Sequence, residues 1–218
     1  MEIRLVNVWH SYDGLSYVLR NINLELGSPG VYVLTGPNGA GKTTLLKIIS
    51  LITKPTRGTV IVNGMDFWSL GERDRLILRA KVTYVHDKPI LVRGSARANL
   101  ELGLKLRGGL SANHALVEYF VERYMLKEFL DKPASKLSAG QAKIVSILRA
   151  LLLKPKVLAL DEPFTFLDDT RAKLLIEDLL SAVSNGGVVI VATHYVHREL
   201  RARVKQVIEL LGGEIVRS

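Results

Sequence analysis

The sequence predicts an α/β fold: a parallel sheet covered by helices on both faces, with an antiparallel β subdomain and an inserted helical subdomain. Three observations carry that expectation. Fully apolar runs, Val31–Leu34, Val157–Leu160 and Val188–Ala192, are interleaved with stretches of helical spacing, as parallel strands buried on both faces require. Near the N-terminus, Ile22, Leu24 and Leu26 alternate with polar neighbours, the mark of an antiparallel sheet with one wet face. From Pro89 to Lys136 strand signals stop and only helical spacing remains. The expected division is therefore an α/β core with its antiparallel β subdomain over residues 1–87 and 155–218, and a helical subdomain over 88–154.

In chain order, Glu2–Val8 and Ile22–Leu26 read as antiparallel strands separated by the turn His10–Gly14, which carries Tyr12. Val31–Leu34 is a buried strand, and Leu45–Ile49 a buried helix. Thr59–Val62 followed by Asn63-Gly64 is a strand and tight turn. Glu72–Arg79 is a short helix and Lys81–Val85 a strand. Ala96–Leu106 and Ala112–Tyr124 have helical spacing. Helix Ser138–Leu153, strand Lys156–Leu160, helix Arg171–Val183 and strand Gly187–Thr193 follow. Val207–Leu211, Gly212-Gly213 and Glu214–Val216 read as a closing hairpin.

The 218 residues, 48% hydrophobic and 23% charged, suit a globular chain able to bury a sizeable core. No apolar run approaches the length of a membrane span, and the N-terminus, with Glu2, does not fit a signal peptide. The absence of cysteine excludes disulfides and thiolate metal sites. A net charge of +9 raises nucleic acid or an anionic surface as partners. The basic residues are spread without long runs, so the expectation is a solvated basic surface and no nucleic-acid partner.

Between the Val31–Leu34 strand and the Leu45–Ile49 helix lies Gly36-Pro37-Asn38-Gly39-Ala40-Gly41-Lys42-Thr43-Thr44, which fits the phosphate-binding pattern of Gly, four free positions, then Gly-Lys-Ser/Thr. Its glycines free the backbone to approach a ligand. The loop amides and the helix N-terminus form an anion concavity. Lys42 adds a cation for the β/γ-phosphates and Thr43 a hydroxyl for Mg²⁺. Val157–Leu160 ends in Asp161 and Glu162, at the strand edge where ligands of open α/β sheets bind. There Asp161 suits a Mg²⁺ contact and Glu162 a base for water, or else both cap the next turn. Leu137-Ser138-Ala139-Gly140-Gln141 opens a helix as a capping box, or as a second anion site. His194 follows Val188–Thr193 on the same sheet edge, as a phosphate contact or a structural residue. Tyr12 either stacks on a base or packs.

As a set these stations resemble, over nearly the full length, the ATP-binding cassette (ABC) nucleotide-binding subunit. Tyr12 matches its adenine-stacking aromatic, Gly36–Thr43 the Walker A motif and Leu137–Gln141 the signature. Val157–Glu162 matches Walker B with its catalytic Glu, Leu167-Asp168 the D-loop and His194 the switch histidine. The resemblance implies a P-loop NTPase fold, ATP and Mg²⁺ as ligands, and catalysis by Glu162, His194 and Lys42. It also implies a head-to-tail homodimer, or a pseudo-dimer with a related subunit, in which Lys42 of one chain and Ser138, Gly140 and Gln141 of the other clamp one ATP. Four positions depart from the family pattern. Asp87, in Tyr84-Val85-His86-Asp87, stands where relatives have Gln and becomes a candidate metal contact. Ala139 replaces Gly in the signature, and Phe164 and Phe166 are bulky for a D-loop.

The resemblance further implies an ATPase subunit on the cytoplasmic face of a cell membrane, docked on transmembrane permease subunits. Pro89, Ile90, Leu91 and Val92, with Phe67 and Trp68, are the expected docking surface. Ser95–Gly108 is similar to the corresponding segment of importers of oxyanions such as tungstate or phosphate. The alternative is a soluble ABC ATPase acting on nucleic acid or a cofactor-assembly partner. The stretch between Thr43 and Ser138 carries no sustained heptads, and the chain has one cassette, so only its charge favours that reading. A non-catalytic sensing module is disfavoured because Lys42, Asp161, Glu162 and His194 are all present.

Overall fold

The computed structural model describes residues 1–218. Its strands are β1 (Ile3–His10), β2 (Leu19–Leu26), β3 (Gly30–Thr35), β4 (Arg57–Val62), β5 (Met65–Asp66), β6 (Val82–Val85), β7 (Val157–Asp161), β8 (Val188–Ala192), β9 (Val204–Leu211) and β10 (Glu214–Arg217). Its helices are α1 (Lys42–Ile49), α2 (Glu72–Arg79), α3 (Ala96–Leu106), α4 (His114–Arg123), α5 (Ala139–Leu151), α6 (Asp169–Ser184) and α7 (Arg198–Arg201).

Four strands form an antiparallel sheet in the order β2-β1-β4-β5, and six form a second sheet in the order β10-β9-β3-β8-β7-β6. In the larger sheet every pairing from β9 to β6 is parallel, and only the edge strand β10 is antiparallel. β7 and β8 are buried at every residue, which explains their unbroken apolar runs. β1 alternates only weakly because its register with β2 shifts between Leu5 and Val8 and again before His10, as a bulged strand does.

The two faces of the large sheet feed two apolar cores. Tyr32, Leu34, Ala159 and Ile190 face α1 and the antiparallel sheet, where Leu45, Leu46, Ile3 and Ile22 meet them. Their neighbours Val31, Val33, Leu158 and Val189 point the other way, onto Leu100, Phe120, Ile144, Leu148 and Leu175 of the helices. Side-chain alternation along each strand sorts one continuous apolar run into two cores.

Some elements differ from expectation. The closing hairpin is also part of the parallel sheet: β9 starts at Val204 and pairs with β3. Only Ile208 and Leu210 of β9 are buried, so its half-wet pattern hides its membership in the sheet. The helix expected over 112–124 opens as a 3₁₀ turn at Ser111–Asn113 before α4. The single-turn helix α7 is too short to leave a periodic signal. Phe67, read as docking surface, is fully buried in the core between the sheets, with Trp68 packed half-buried beside it. No helix is long and apolar enough to cross a membrane.

Candidate functional site

The site is built by strand register. Leu34 of β3 and Asp161 of β7 both pair with Ala192 of β8. The ladder holds to the last residue, because Thr193 N donates to Leu34 O (3.1 Å) and Glu162 N to Ala192 O (2.9 Å). The chain therefore leaves three neighbouring strands at one edge, at Gly36, Glu162 and His194. Beyond that edge is a cavity of about 290 Å³ lined by Asn38, Gly39, Ala40, Gly41, Lys42, Thr43, Thr44, Asp87, Asp161, Glu162 and His194.

Two of the loop glycines are required by the fold itself. Gly36 has φ 144°, and a Cβ there would sit 2.1 Å from the Leu210 carbonyl oxygen of β9. Gly41 has φ 102°, and its Cβ would meet the Leu19 side chain of β2 at 2.8 Å. Gly39 (φ 78°) alone of the three has open space beside it. The loop is thus wedged between the two sheets, and its middle faces the cavity.

Lys42 folds back over the loop, its ammonium donating to Gly36 O (2.7 Å) and Pro37 O (3.0 Å). Burial lowers its pKa, and the charges of Glu162 and Asp161 partly oppose that shift. Thr43 Oγ1 donates to Asp161 Oδ2 at 2.6 Å, and the Tyr84 hydroxyl donates to the same oxygen at 3.2 Å. Tyr84 is not among the expected site residues, although it is the penultimate residue of β6, one strand from Asp161. Burial and the adjacent Asp161 push its phenol pKa well up, so it stays a donor.

Glu162 takes φ 44°, a conformation that costs a residue with a Cβ about 1–2 kcal/mol. Its Oε1 is buried without a hydrogen-bond partner and lies 3.3 Å from His194 Nε2. Asp87 reaches the cavity wall half-exposed, and its nearest cation is Lys143 at 3.9 Å, not Lys88. The backbone N–H of Lys88 donates instead to His86 Nδ1.

Tyr12 lies beside the loop with its ring exposed and its hydroxyl 3.2 Å from Thr44 Oγ1. The edge of its ring meets buried His10 at 4.7 Å between centroids. Asp13 fixes this turn, accepting from Leu15 N, Ser16 N and the Ser11 hydroxyl. Those bonds, foremost that from Ser16 N, hold its carboxyl far below the usual range. The Ser-Tyr-Asp-Gly stretch carried this signal as a side-chain turn motif.

Ser138, Gly140, Gln141 and Asp168 do not line the cavity. Ser138 forms a full capping box: its Oγ accepts from Gln141 N and its own N–H donates to Gln141 Oε1. Gly140 is packed so closely that a Cβ would stand 2.5 Å from Phe166 O. Asp168 caps α6 through Arg171 N and pairs with the Arg171 guanidinium.

No group of three or more His, Asp or Glu side chains forms a metal cage. Thr43 and Asp161 instead present two hard oxygens side by side, which fits Mg²⁺ held mainly by phosphate and water.

A family model described as ABC transporter matches residues 19–165. The chain is 32% identical to the phosphate import ATP-binding protein PstB 2 of Natronomonas pharaonis, over 99% of this chain and 79% of that protein. It is 34% identical to the methionine import ATP-binding protein MetN 1 of Rhodococcus jostii, over 92% of this chain and 60% of that one. Among solved structures it is similar to a dimeric ATP-binding cassette in a post-hydrolysis state bound to ADP and Pi. That likeness has a TM-score of 0.87 and 28% identity, and covers 99% of this chain and 97% of the other.

Proposed function

The chain belongs to the ABC transporter family as an ATP-binding subunit with ATPase activity, and from that premise we propose that two such chains pair head to tail to power an importer. The observation that carries the catalytic reading is Glu162. A carboxylate oxygen, buried and without a hydrogen-bond partner, stands on the wall of the phosphate-loop cavity.

In this reading the loop amides and Lys42 hold the β- and γ-phosphates of ATP, and Lys42 exchanges its own-loop carbonyls for phosphate oxygens. Thr43 and Asp161 would hold Mg²⁺, which when bound offsets phosphate charge during transfer. Glu162 orients and deprotonates the attacking water, and His194 contacts the γ-phosphate from the next strand. Tyr12 offers its exposed ring to adenine. Ser138, Gly140 and Gln141 lie outside the cavity of their own chain, so they serve the partner's ATP, with Asp168 at the same interface.

Glu162→Gln tests this: it keeps the side chain's shape and removes the base. ATP binding should persist, hydrolysis should fall about 10²-fold or more, and a dimer should accumulate with ATP and Mg²⁺ on size exclusion. Wild-type turnover in that variant defeats the role of Glu162.

Permease subunits on the inner face of a cell membrane are the proposed partners, and Ile90 and Val92, both exposed, are the apolar contacts offered. PstB 2 is named for phosphate import and MetN 1 for methionine import. The match to PstB 2, which spans 99% of the chain, supports an oxyanion as substrate class. Uptake of phosphate, tungstate and methionine by cells expressing the chain with its permease separates the two substrate classes.

A further inference from the structure

Lys143 has no exposed side-chain surface; burial lowers the pKa of its ammonium, and the charges of Asp87, Asp161 and Glu162 oppose that shift. An ion in that position loses its hydration unless polar partners replace it. Its partners are specific. Nζ donates to Asp87 O at 2.7 Å and to Asp161 O at 3.1 Å, and lies 3.9 Å from Asp87 Oδ1.

Those two carbonyls belong to strands that part company at this point. The parallel pairing of β6 with β7 ends at Val85 with Leu160, and Asp161 keeps a strand partner only on the β8 side. The ammonium continues the seam where the backbone ladder stops, from behind the cavity wall that carries Asp87, Asp161 and Glu162. The helix that delivers it, α5, starts at the Ser138 cap. Further along it, Arg149 donates to Ile90 O at 2.6 Å. Two cations of one helix thus hold the segment Asp87–Ile90 at both ends, and the inner one also holds the end of β7.

We infer that Lys143 is a positioning residue for ATP hydrolysis: its ammonium clamps the loop bearing Asp87 to the carboxyl end of β7, fixing Asp161 and Glu162. The inference rests on the reading of this cavity as the hydrolytic site. The clamp uses carbonyls, so a neutral donor of similar reach replaces it in part, whereas an apolar side chain of the same length does not. Lys143→Met leaves two carbonyls without their donor at the strand exit and lets the loop move against β7.

The test is steady-state ATPase kinetics on Lys143→Met and Lys143→Gln, with circular dichroism to establish folding and amide hydrogen exchange across residues 86–92. Lys143→Met should lose about tenfold or more in kcat, since a displacement near 1 Å costs up to 10²-fold, with the ATP KM changed by less than about threefold. Lys143→Gln should recover a substantial part of kcat, and exchange over residues 86–92 should speed up in the Met variant alone. Folded Lys143→Met with wild-type kcat overturns the inference. So does a loss that appears in KM, or one that Gln does not relieve. If the Met variant does not fold, Lys143→Gln is read alone: a kcat lowered severalfold with unchanged KM retains the inference, and wild-type kcat or a change confined to KM overturns it. Failure of the cavity reading would be seen separately, as wild-type activity in Glu162→Gln.

Discussion

Single side chains at the sheet edge have opposing demands, and Asp87 shows them most directly. Its carboxylate lines the same cavity as the phosphate loop, so it repels metal-free triphosphate and attracts a metal. Two unit charges about 4 Å apart interact by roughly 4 kcal/mol at an effective dielectric near 20, and half-exposure with Lys143 behind it reduces that effect. Asp87→Gln should therefore tighten ATP binding measured with a chelator and narrow the gap between affinities with and without Mg²⁺. Equal Mg²⁺ dependence in the two proteins would leave Asp87 without a part in metal handling.

His10 makes a prediction of another kind. Both ring nitrogens are buried, and burial lowers its pKa, only partly opposed by the Lys54 backbone. The native state keeps His10 neutral below about pH 6.5, where the unfolded chain already binds a proton. Its contribution is therefore complete above that pH and lost as pH falls toward the native pKa. Urea unfolding at neutral and mildly acidic pH should show a smaller acid loss of stability for His10→Phe than for wild type. Parallel losses would mean that His10 does not set this dependence.

At the scale of elements, the two helices that follow the signature and D-loop stretches begin with side-chain caps, Ser138 on α5 and Asp168 on α6. A cap is worth about 1 kcal/mol, so Ser138→Ala should lower the melting temperature slightly. Ser138→Asp keeps an oxygen for Gln141 N and should melt as wild type, yet in the proposed head-to-tail dimer it would set a carboxylate against the partner's ATP. ATP-dependent dimerisation on size exclusion should fail in both variants. Dimerisation in Ser138→Asp would confine Ser138 to capping. The same element level explains Gly140, whose missing side chain admits the Phe166 carbonyl. A glycine read for a partner's ATP is also needed within its own chain.

For the whole molecule, the segment after Asp87 joins the cavity beside the Gly36–Thr44 loop to an exposed apolar surface. Ile90 and Val92 are exposed while Leu91 packs against the core. The backbone of Val92 is held by buried Asn99 through two hydrogen bonds, 2.8 and 2.9 Å. The surface is therefore presented by a pinned loop, and exposed apolar side chains on such a loop suit a partner. Ile90→Glu should abolish association with the permease in a pull-down and leave basal ATPase activity and the melting temperature unchanged. Leu91→Glu, by contrast, should destabilise the chain, because that side chain packs against the core. Retained association in Ile90→Glu would move docking elsewhere.

Local periodicity and local motifs were enough to read most of the strands and helices in order, the Gly36–Thr44 loop, and the two carboxylates at the end of β7. Apolar alternation and the glycine spacing are properties of neighbours in the chain. The convergence of Gly36, Glu162 and His194 was an expectation that depended on the strands being adjacent, and only the order β3-β8-β7 with Ala192 in register with both Leu34 and Asp161 makes it a site. Tyr84 on Asp161, Lys143 across two strand exits, and the wedging of Gly36 against Leu210 join residues far apart in sequence. So does the burial of Phe67. Each depends on which surfaces the two sheets bring together, and hydrogen bonds and close packing between distant segments leave no periodic trace in the chain.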